Sequence, residues 1–262
     1  MATKLKICTF NLRNSYVDDG INSFCYRESR VIDAIRTEAP DIIGFQEMTG
    51  HQRKVLEEAL FPLGYNLVGC GRDEELRNEQ SAIAYKREKM MLLSLDTKWL
   101  SETPDVPGSR FEGDQSMCPR IMTAIVLKHV DTAPFLVVNT HLDHVGNDAR
   151  VRGAAQIVAY AKEKAMPLIV TGDLNARPDS PVVKHFLSTA PRGIRLVDAT
   201  AGIPWTFHNF GRYDETRRSK IDYIFTDLPS DPKESYILAD TGDENGVYIT
   251  DHYVVFAYVT VE

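Results

Sequence analysis

Several things are scarce in this sequence, and each scarcity removes a class of function. Only four cysteines, Cys8, Cys25, Cys70 and Cys118, are spread over 262 residues, and no two form a Cys-x-x-Cys pair. That spacing suggests neither a structural zinc nor a dithiol redox centre; free thiols in a reducing cytoplasm are the plain reading. No apolar run approaches the ~20 residues that a transmembrane helix requires. The start, Met1-Ala2-Thr3-Lys4-Leu5-Lys6, lacks the apolar core of a signal peptide and moves directly into a strand pattern. HExxH, GxSxG, Walker and GxGxxG motifs are missing, which sets aside zinc hydrolysis, serine nucleophiles and nucleotide-dependent transfer. Basic residues are the minority, 30 against 37 acids, for a net charge of −7. Such a chain is poorly suited to binding along a nucleic-acid backbone by charge alone. A local basic cleft or a bound cation can still reverse the sign at one place, so nucleic acid stays open as a partner. The expectation is a cytoplasmic monomer with no membrane contact.

What is present is ordinary for a globular protein: 43% hydrophobic and 26% charged residues. That balance excludes wholesale disorder and a coiled coil, and the length supports a substantial core. Apolar spacing predicts strands over Leu5–Leu12, Asp41–Phe45, Tyr65–Val68, Ser81–Tyr85, Met90–Leu95, Ile121–Lys128, Phe135–Thr140, Leu168–Thr171, Ile221–Phe225 and Tyr253–Val259. Helical spacing covers Tyr26–Ala39, stopped by Pro40, then Gln52–Leu60 and Asp148–Lys164. Some connections suit hairpins and others helical crossovers, so the sheets should be mixed, within one domain over residues 1–262. Two long aperiodic stretches, Asp96–Pro119 and His208–Lys220, read as functional loops. The second carries Arg212, Arg217, Arg218 and Lys220 beside Asp222. Such a cluster suits a compact, multiply charged anion, although a solvated loop is the default for a charge run.

The informative feature is where the strands stop. Thr9-Phe10-Asn11, Ile43-Gly44-Phe45-Gln46-Glu47, Val138-Asn139-Thr140-His141 and Val170-Thr171-Gly172-Asp173-Leu174-Asn175 each end an apolar run with an amide, a carboxylate or an imidazole. Asp222 lies inside such a run, and Asp251-His252 precede the last one. An ionised carboxylate beside a core is costly unless it is paired or bound to a cation. Any one of them has a bland explanation: Asp173 as a turn former, Glu47 as a residue near the next helix start. Several together point to a shared site at one edge of a sheet sandwich.

These motifs, in this order, resemble the endonuclease/exonuclease/phosphatase superfamily: Thr9-Phe10-Asn11-Leu12-Arg13, Gln46-Glu47, Asn139-Thr140-His141-Leu142, Gly172-Asp173-Leu174-Asn175, Lys220-Ile221-Asp222-Tyr223-Ile224-Phe225 and Thr250-Asp251-His252. The run Trp99-Leu100-Ser101-Glu102-Thr103-Pro104, with Cys118-Pro119-Arg120, resembles a compact bacterial branch of it. The resemblance implies a four-layer α/β sandwich, two packed mixed β-sheets flanked by helices. It also implies Mg2+, with Mn2+ able to substitute, held by Glu47 as the main carboxylate with Asn11 and Asp251 as its neighbours. Asp173 would orient or deprotonate the attacking water, and Asn175 would donate to the phosphate. His252 would be held by Asp222, His141 would contact the phosphate or assist the leaving group, and Arg120 matches an arginine at phosphate sites. Glu79 either orients His141 or is a surface acid; Asp143 and His144 extend the His141 motif without an assigned role. Arg13 stands where the nucleases often carry an acid, so a second metal ligand is not expected there. The implied function is hydrolysis of a phosphate ester by direct attack of water. A phosphodiesterase or nuclease ranks first, a phosphomonoesterase acting on a small organic phosphate second, and a non-catalytic binding protein third.

Overall fold

The computed structural model describes residues 2–262. Strand β1 (Thr3–Asn11) leads to helix α1 (Phe24–Glu38), β2 (Ile42–Gln46), α2 (Gly50–Leu60), β3 (Tyr65–Val68), β4 (Ile83–Lys86) and β5 (Met90–Trp99). Then follow β6 (Ile121–His129), β7 (Phe135–His141), α3 (Asn147–Lys164), β8 (Leu168–Asp173) and α4 (Pro181–Leu187). Strands β9 (Val197–Asp198), β10 (Asp222–Thr226), β11 (Tyr236–Leu238) and β12 (Val254–Val261) complete the chain. They form two six-stranded sheets, ordered β11-β12-β1-β2-β4-β3 and β5-β6-β7-β8-β10-β9. The β1–β2 and β7–β8 pairs are parallel and the others antiparallel, so both sheets are mixed.

Period-two alternation explains the layering, because successive side chains of a strand face opposite ways. Ile7, Ile42, Val137, Ile169 and Ile224 meet between the sheets, with Leu5, Ile83, Phe135 and Val259. Their chain neighbours Cys8 and Ile43 face α1 and α2, where Val31, Ile35 and Leu56 cover them. Val138, Val170 and Phe225 face α3 and α4, under Ile157, Ala161 and Phe186. The result is the expected four-layer sandwich. Helix α2 opens with a capping box, Thr49 accepting from the Gln52 N–H while Gln52 accepts from that of Thr49.

The elements the sequence did not signal are short. Helix α4 has seven residues, with Ser180 accepting from the Val183 N–H and Pro181 in the first turn. Strands β9 and β11 have two and three residues, too few for a periodic pattern. Strand β5 runs on to Trp99, beyond Leu95, because its pairing with β6 continues to Trp99 opposite Ile121 across an irregularity between Leu92 and Ser94. The long aperiodic stretch therefore starts after Trp99.

Between the sheets the chemistry changes along the strands. Beyond the apolar row that includes Ile7, Ile42, Val137 and Ile169 comes a polar one, Thr9, Asn139 and Thr171, which Gln46 reaches from the next row, all buried. Gln46 Nε2 donates to Asn139 Oδ1 (2.7 Å) and to Thr9 Oγ1 (3.1 Å), and Thr171 Oγ1 donates to Asn139 Oδ1 (3.0 Å). Asn139 Nδ2 donates to the carbonyls of Phe45 and Ala82 on the facing sheet. Gly44 leaves the room: a Cβ there would fall 2.1 Å from Thr171 Oγ1. Two residues further along, on the same face, stand Asn11, His141 and Asp173, with Asp222 paired to Asp173.

Candidate active site

Register brings these last residues together. His141 pairs with Asp173 across parallel strands, and Asp222 pairs with Asp173 from the antiparallel side. Arg13, Glu47 and Asn175, each just past a strand end, adopt φ of 54°, 58° and 47°. Left-handed backbone is uncommon outside glycine and concentrates at functional sites. Here it turns the chain sharply, and Glu47 and Asn175 keep their side chains at the site.

The two histidines are held in opposite states. His252 Nδ1 lies 2.8 Å from Asp222 Oδ2, and its Nε2 is 3.8 Å from Asp173 Oδ2. Burial opposes charge on this ring, but Asp222, Asp251 and Asp173 outweigh it and push its pKa up to about 10. Charged His252 therefore donates through Nδ1 and presents a second N–H toward Asp173. Its ring packs on Phe207 at 4.9 Å. His141 is pushed well below the usual value by burial and by the Arg120 charge. Neutral, it accepts from Asn175 Nδ2 at 3.0 Å through Nε2, and that network leaves the proton on Nδ1, which is buried without a partner. Asp173 is pushed up to about 7 by burial and by Asp222, against His252 and the Asn175 N–H that donates to it at 2.8 Å. A carboxylate with that pKa is poised to exchange a proton near neutrality.

Around Glu47 the donors are oxygen atoms. Glu47 Oε2 accepts from the Asn14 N–H (3.0 Å) and Nδ2 (2.9 Å), and Oε1 from Asn11 Nδ2 (3.1 Å). Burial pushes Glu47 up, but the amide donors of Asn14 and Asn11 and the charged His252 ring draw its carboxyl below the usual carboxylate range. Asn11 Nδ2 also donates to Asp173 Oδ2 at 3.0 Å, while its Oδ1 accepts from the Arg13 N–H. It clamps two acids, and offering its oxygen to a cation requires its amide to turn over. Buried Asp251 is pushed up by burial and by Glu47; Arg13, 4.0 Å away, is engaged by Asp19 at 2.9 Å. Acids raised in this way by burial and by each other are relieved by a cation, and an all-oxygen set fits a hard divalent one. Asp173, Asp222 and His252 also bring ligand atoms within 4.8 Å of one another. There the His252 Nδ1 already donates to Asp222 and the ring is charged, so this trio suits proton chemistry better than metal binding.

A cavity of about 310 Å³ joins these groups to three arginines, Arg13, Arg72 and Arg120. Arg120 lies 3.4 Å from Asp143 through Nε and donates from Nη2 to His144 Nδ1 at 2.8 Å; its Nη1 is buried without a partner. Asp143 is an anchor for the loop before β6: it accepts the N–H groups of Ser116, Val145 and Gly146 and the Ser116 hydroxyl. Glu79 pairs with Arg72 at 2.9 Å rather than with His141. Arg72 carries no sequence signal. Its place comes from tertiary bonds: its carbonyl accepts from Trp99 Nε1 at 2.6 Å, and its N–H donates to the Glu79 carbonyl at 3.0 Å. None of Arg212, Arg217, Arg218 and Lys220 lines the cavity. Lys220 is buried against Asp198 at 2.6 Å, and Arg217 and Arg218 donate to carbonyls of their own loop.

A model described as the Endonuclease/Exonuclease/phosphatase family matches residues 8–252. An endonuclease/exonuclease/phosphatase family protein from Bacteroides thetaiotaomicron is 30% identical, with a TM-score of 0.87 over 100% of this chain and 99% of that one. A mannosyl-6-phosphatase from Bacteroides thetaiotaomicron VPI-5482 is 30% identical, with a TM-score of 0.83 over 98% of this chain and 100% of its own. The uncharacterized protein L388 of Acanthamoeba polyphaga mimivirus is 31% identical over 126 residues, 45% of either chain, so the match spans under half the length of that relative.

Proposed function

This chain belongs to the Endonuclease/Exonuclease/phosphatase family, and from that membership we propose that it is a Mg2+-dependent phosphomonoesterase acting on a small organic phosphate, with sugar phosphates the first class to try. The observation that carries this reading is the lining of the cavity, where Glu47, Asp173 and Asp251 share about 310 Å³ with Arg72, Arg120 and three histidines. That volume suits a small ligand, whereas a nucleic acid needs an extended positive track. The mannosyl-6-phosphatase, alike over its whole length, adds support for a monoester, which thereby moves ahead of the diester that ranks first from the sequence.

Glu47, Asp251 and Asn11 would hold the cation. When bound, it supplies positive charge to the phosphoryl and departing oxygens. Asp173, its two oxygens steadied by Asn11 Nδ2 and the Asn175 N–H, orients the water and takes its proton. His252, kept charged and aligned by Asp222, donates to a phosphoryl oxygen as negative charge gathers there. Asn175 and neutral His141 hold each other and face the same group.

The test is phosphate release from hexose phosphates, p-nitrophenyl phosphate and bis(p-nitrophenyl) phosphate, alongside single- and double-stranded DNA, with Mg2+ and with a chelator. Monoester hydrolysis that the chelator abolishes is expected. Cutting of DNA with no release from any monoester would replace this reading with a nuclease, and inertness toward the whole panel would leave a binding protein.

A further inference from the structure

Two guanidinium groups share the loop-built part of the cavity, and their counter-charges do not balance them. Arg72 is 8% and Arg120 4% exposed. Both also line a void of about 10 Å³ that they share with Glu47, Glu79, Ser81 and His141, room for about one water. Burial and then the charge of Arg72 push Arg120 below its ordinary value, so the two cations repel each other at close quarters. Glu79 neutralises Arg72. Asp143 does less for Arg120, because it lies at 3.4 Å and already accepts three N–H groups and a hydroxyl. Arg120 Nη1 is left buried and unpartnered, a donor without an acceptor, which is costly unless a ligand supplies one.

We infer that Arg72 and Arg120 form a two-guanidinium clamp on the terminal phosphoryl group, and that Arg72 determines the preference for monoesters over diesters. This rests on the reading of the chain as a phosphoesterase. A monoester ends in three non-bridging oxygens carrying close to two negative charges, and two planar forks can engage two of its edges. A diester has one charge and two such oxygens. Its second ester arm would also have to pass the guanidiniums, where the space behind them holds about one water. Charge and shape therefore select the same substrate, and the second guanidinium is the part that a diester cannot use.

The experiment compares wild type, Arg72→Gln and Arg72→Lys with Mg2+ on p-nitrophenyl phosphate and bis(p-nitrophenyl) phosphate. Lysine keeps the charge that pairs with Glu79 and loses the fork, so it carries the comparison if the glutamine variant folds poorly. In both variants KM for the monoester should rise by about tenfold or more, with kcat changed far less. kcat/KM for the diester should stay within about threefold, so the monoester-to-diester ratio collapses. Equal losses on both esters, or a ratio left unchanged, would overturn the clamp, as would a wild type that prefers the diester. If wild type hydrolyses neither ester, the functional reading fails on its own and the clamp is judged by calorimetric titration with inorganic phosphate in the presence of Mg2+. Binding weakened about tenfold in the variants supports it, and equal affinities overturn it.

Discussion

The cavity has two kinds of wall, made in different ways. His141 and Asp173, with Asn11 and Asp222 beside them, are rungs of the sheets, placed by the hydrogen-bond register that places the apolar core two rows away. Arg72 and Arg120 come from the β3–β4 connection and the start of β6, placed by single long-range bonds such as Trp99 Nε1 to the Arg72 carbonyl. In the proposed function, the sheet-built wall holds the acids and histidines that would move protons or bind a cation. The loop-built wall holds the positive charge that would hold the substrate. The proposed chemistry would thus sit on the sheets, and recognition on loops that can change without disturbing the core.

If that division is right, the sheet-built residues should act on kcat. Asp173→Asn should lower kcat by about 10²–10⁴-fold with little change in KM. The pH profile sharpens this. A base with its pKa raised to about 7 is active only once deprotonated, so kcat should climb through that region; His252, raised to about 10, must keep its proton, so kcat should fall above that. The climbing limb should vanish from the residual activity of Asp173→Asn. A limb that persists would assign the base elsewhere. Glu47→Gln, close in size but uncharged, should weaken Mg2+ binding by at least the ~10–100-fold that the outer partners of metal ligands are worth. Calorimetric titration measures it, and unchanged affinity would take Glu47 out of the proposed metal site.

The same division decides what the sequence could show. Alternation with period two is local, so Ile7-Thr9-Asn11, Val137-Asn139-His141 and Ile169-Thr171-Asp173 announce both a buried strand and the polar end of it. Asn139 shows the limit of that reading: in the Asn139-Thr140-His141 run it looks like a site residue, yet it ties the two sheets together beneath the site. Arg72 was invisible because its loop has no periodic pattern: Glu79 of the same loop holds its guanidinium, and a tryptophan on β5 holds its carbonyl. Glu79 could be read as an aid to His141 for the same reason, since no local pattern pairs it with Arg72.

Smaller effects should come from the supports of the loop-built wall. Trp99→Phe removes the indole N–H while keeping an aromatic ring in a site that is 5% exposed. The lost bond to the Arg72 carbonyl should cost about 1 kcal/mol in stability and let Arg72 drift. We expect KM for the monoester to rise by about three- to tenfold, with kcat unchanged. Chemical denaturation and kinetics on one preparation separate the two roles. Lower stability with unmoved KM would make Trp99 a packing residue and leave Arg72 without its positioning partner.

The smallest effect is expected where the sequence placed the most positive charge. Arg217 is 57% exposed at its side chain, donates from Nη2 to the Arg212 carbonyl at 2.6 Å and lies 5.0 Å from the Tyr213 ring centroid. Arg218 donates from Nε to the Tyr213 carbonyl at 3.0 Å and packs near Trp205 and Tyr253. Both therefore hold their own loop in shape, and neither lines the cavity. Exposed charges beyond a Debye length, ~10 Å at ordinary salt, add little to binding. The Arg217→Ala/Arg218→Ala double variant should lose about 1 kcal/mol of stability from the missing cation–π packing, a drop of roughly 2–4 °C in Tm. Its KM should stay within about twofold of wild type at low and high salt alike. A KM that rises severalfold at low salt and recovers at high salt would show this loop reaching the substrate. The division between a sheet-built wall and an arginine wall made by Arg72 and Arg120 would then have to be redrawn with the second loop inside it.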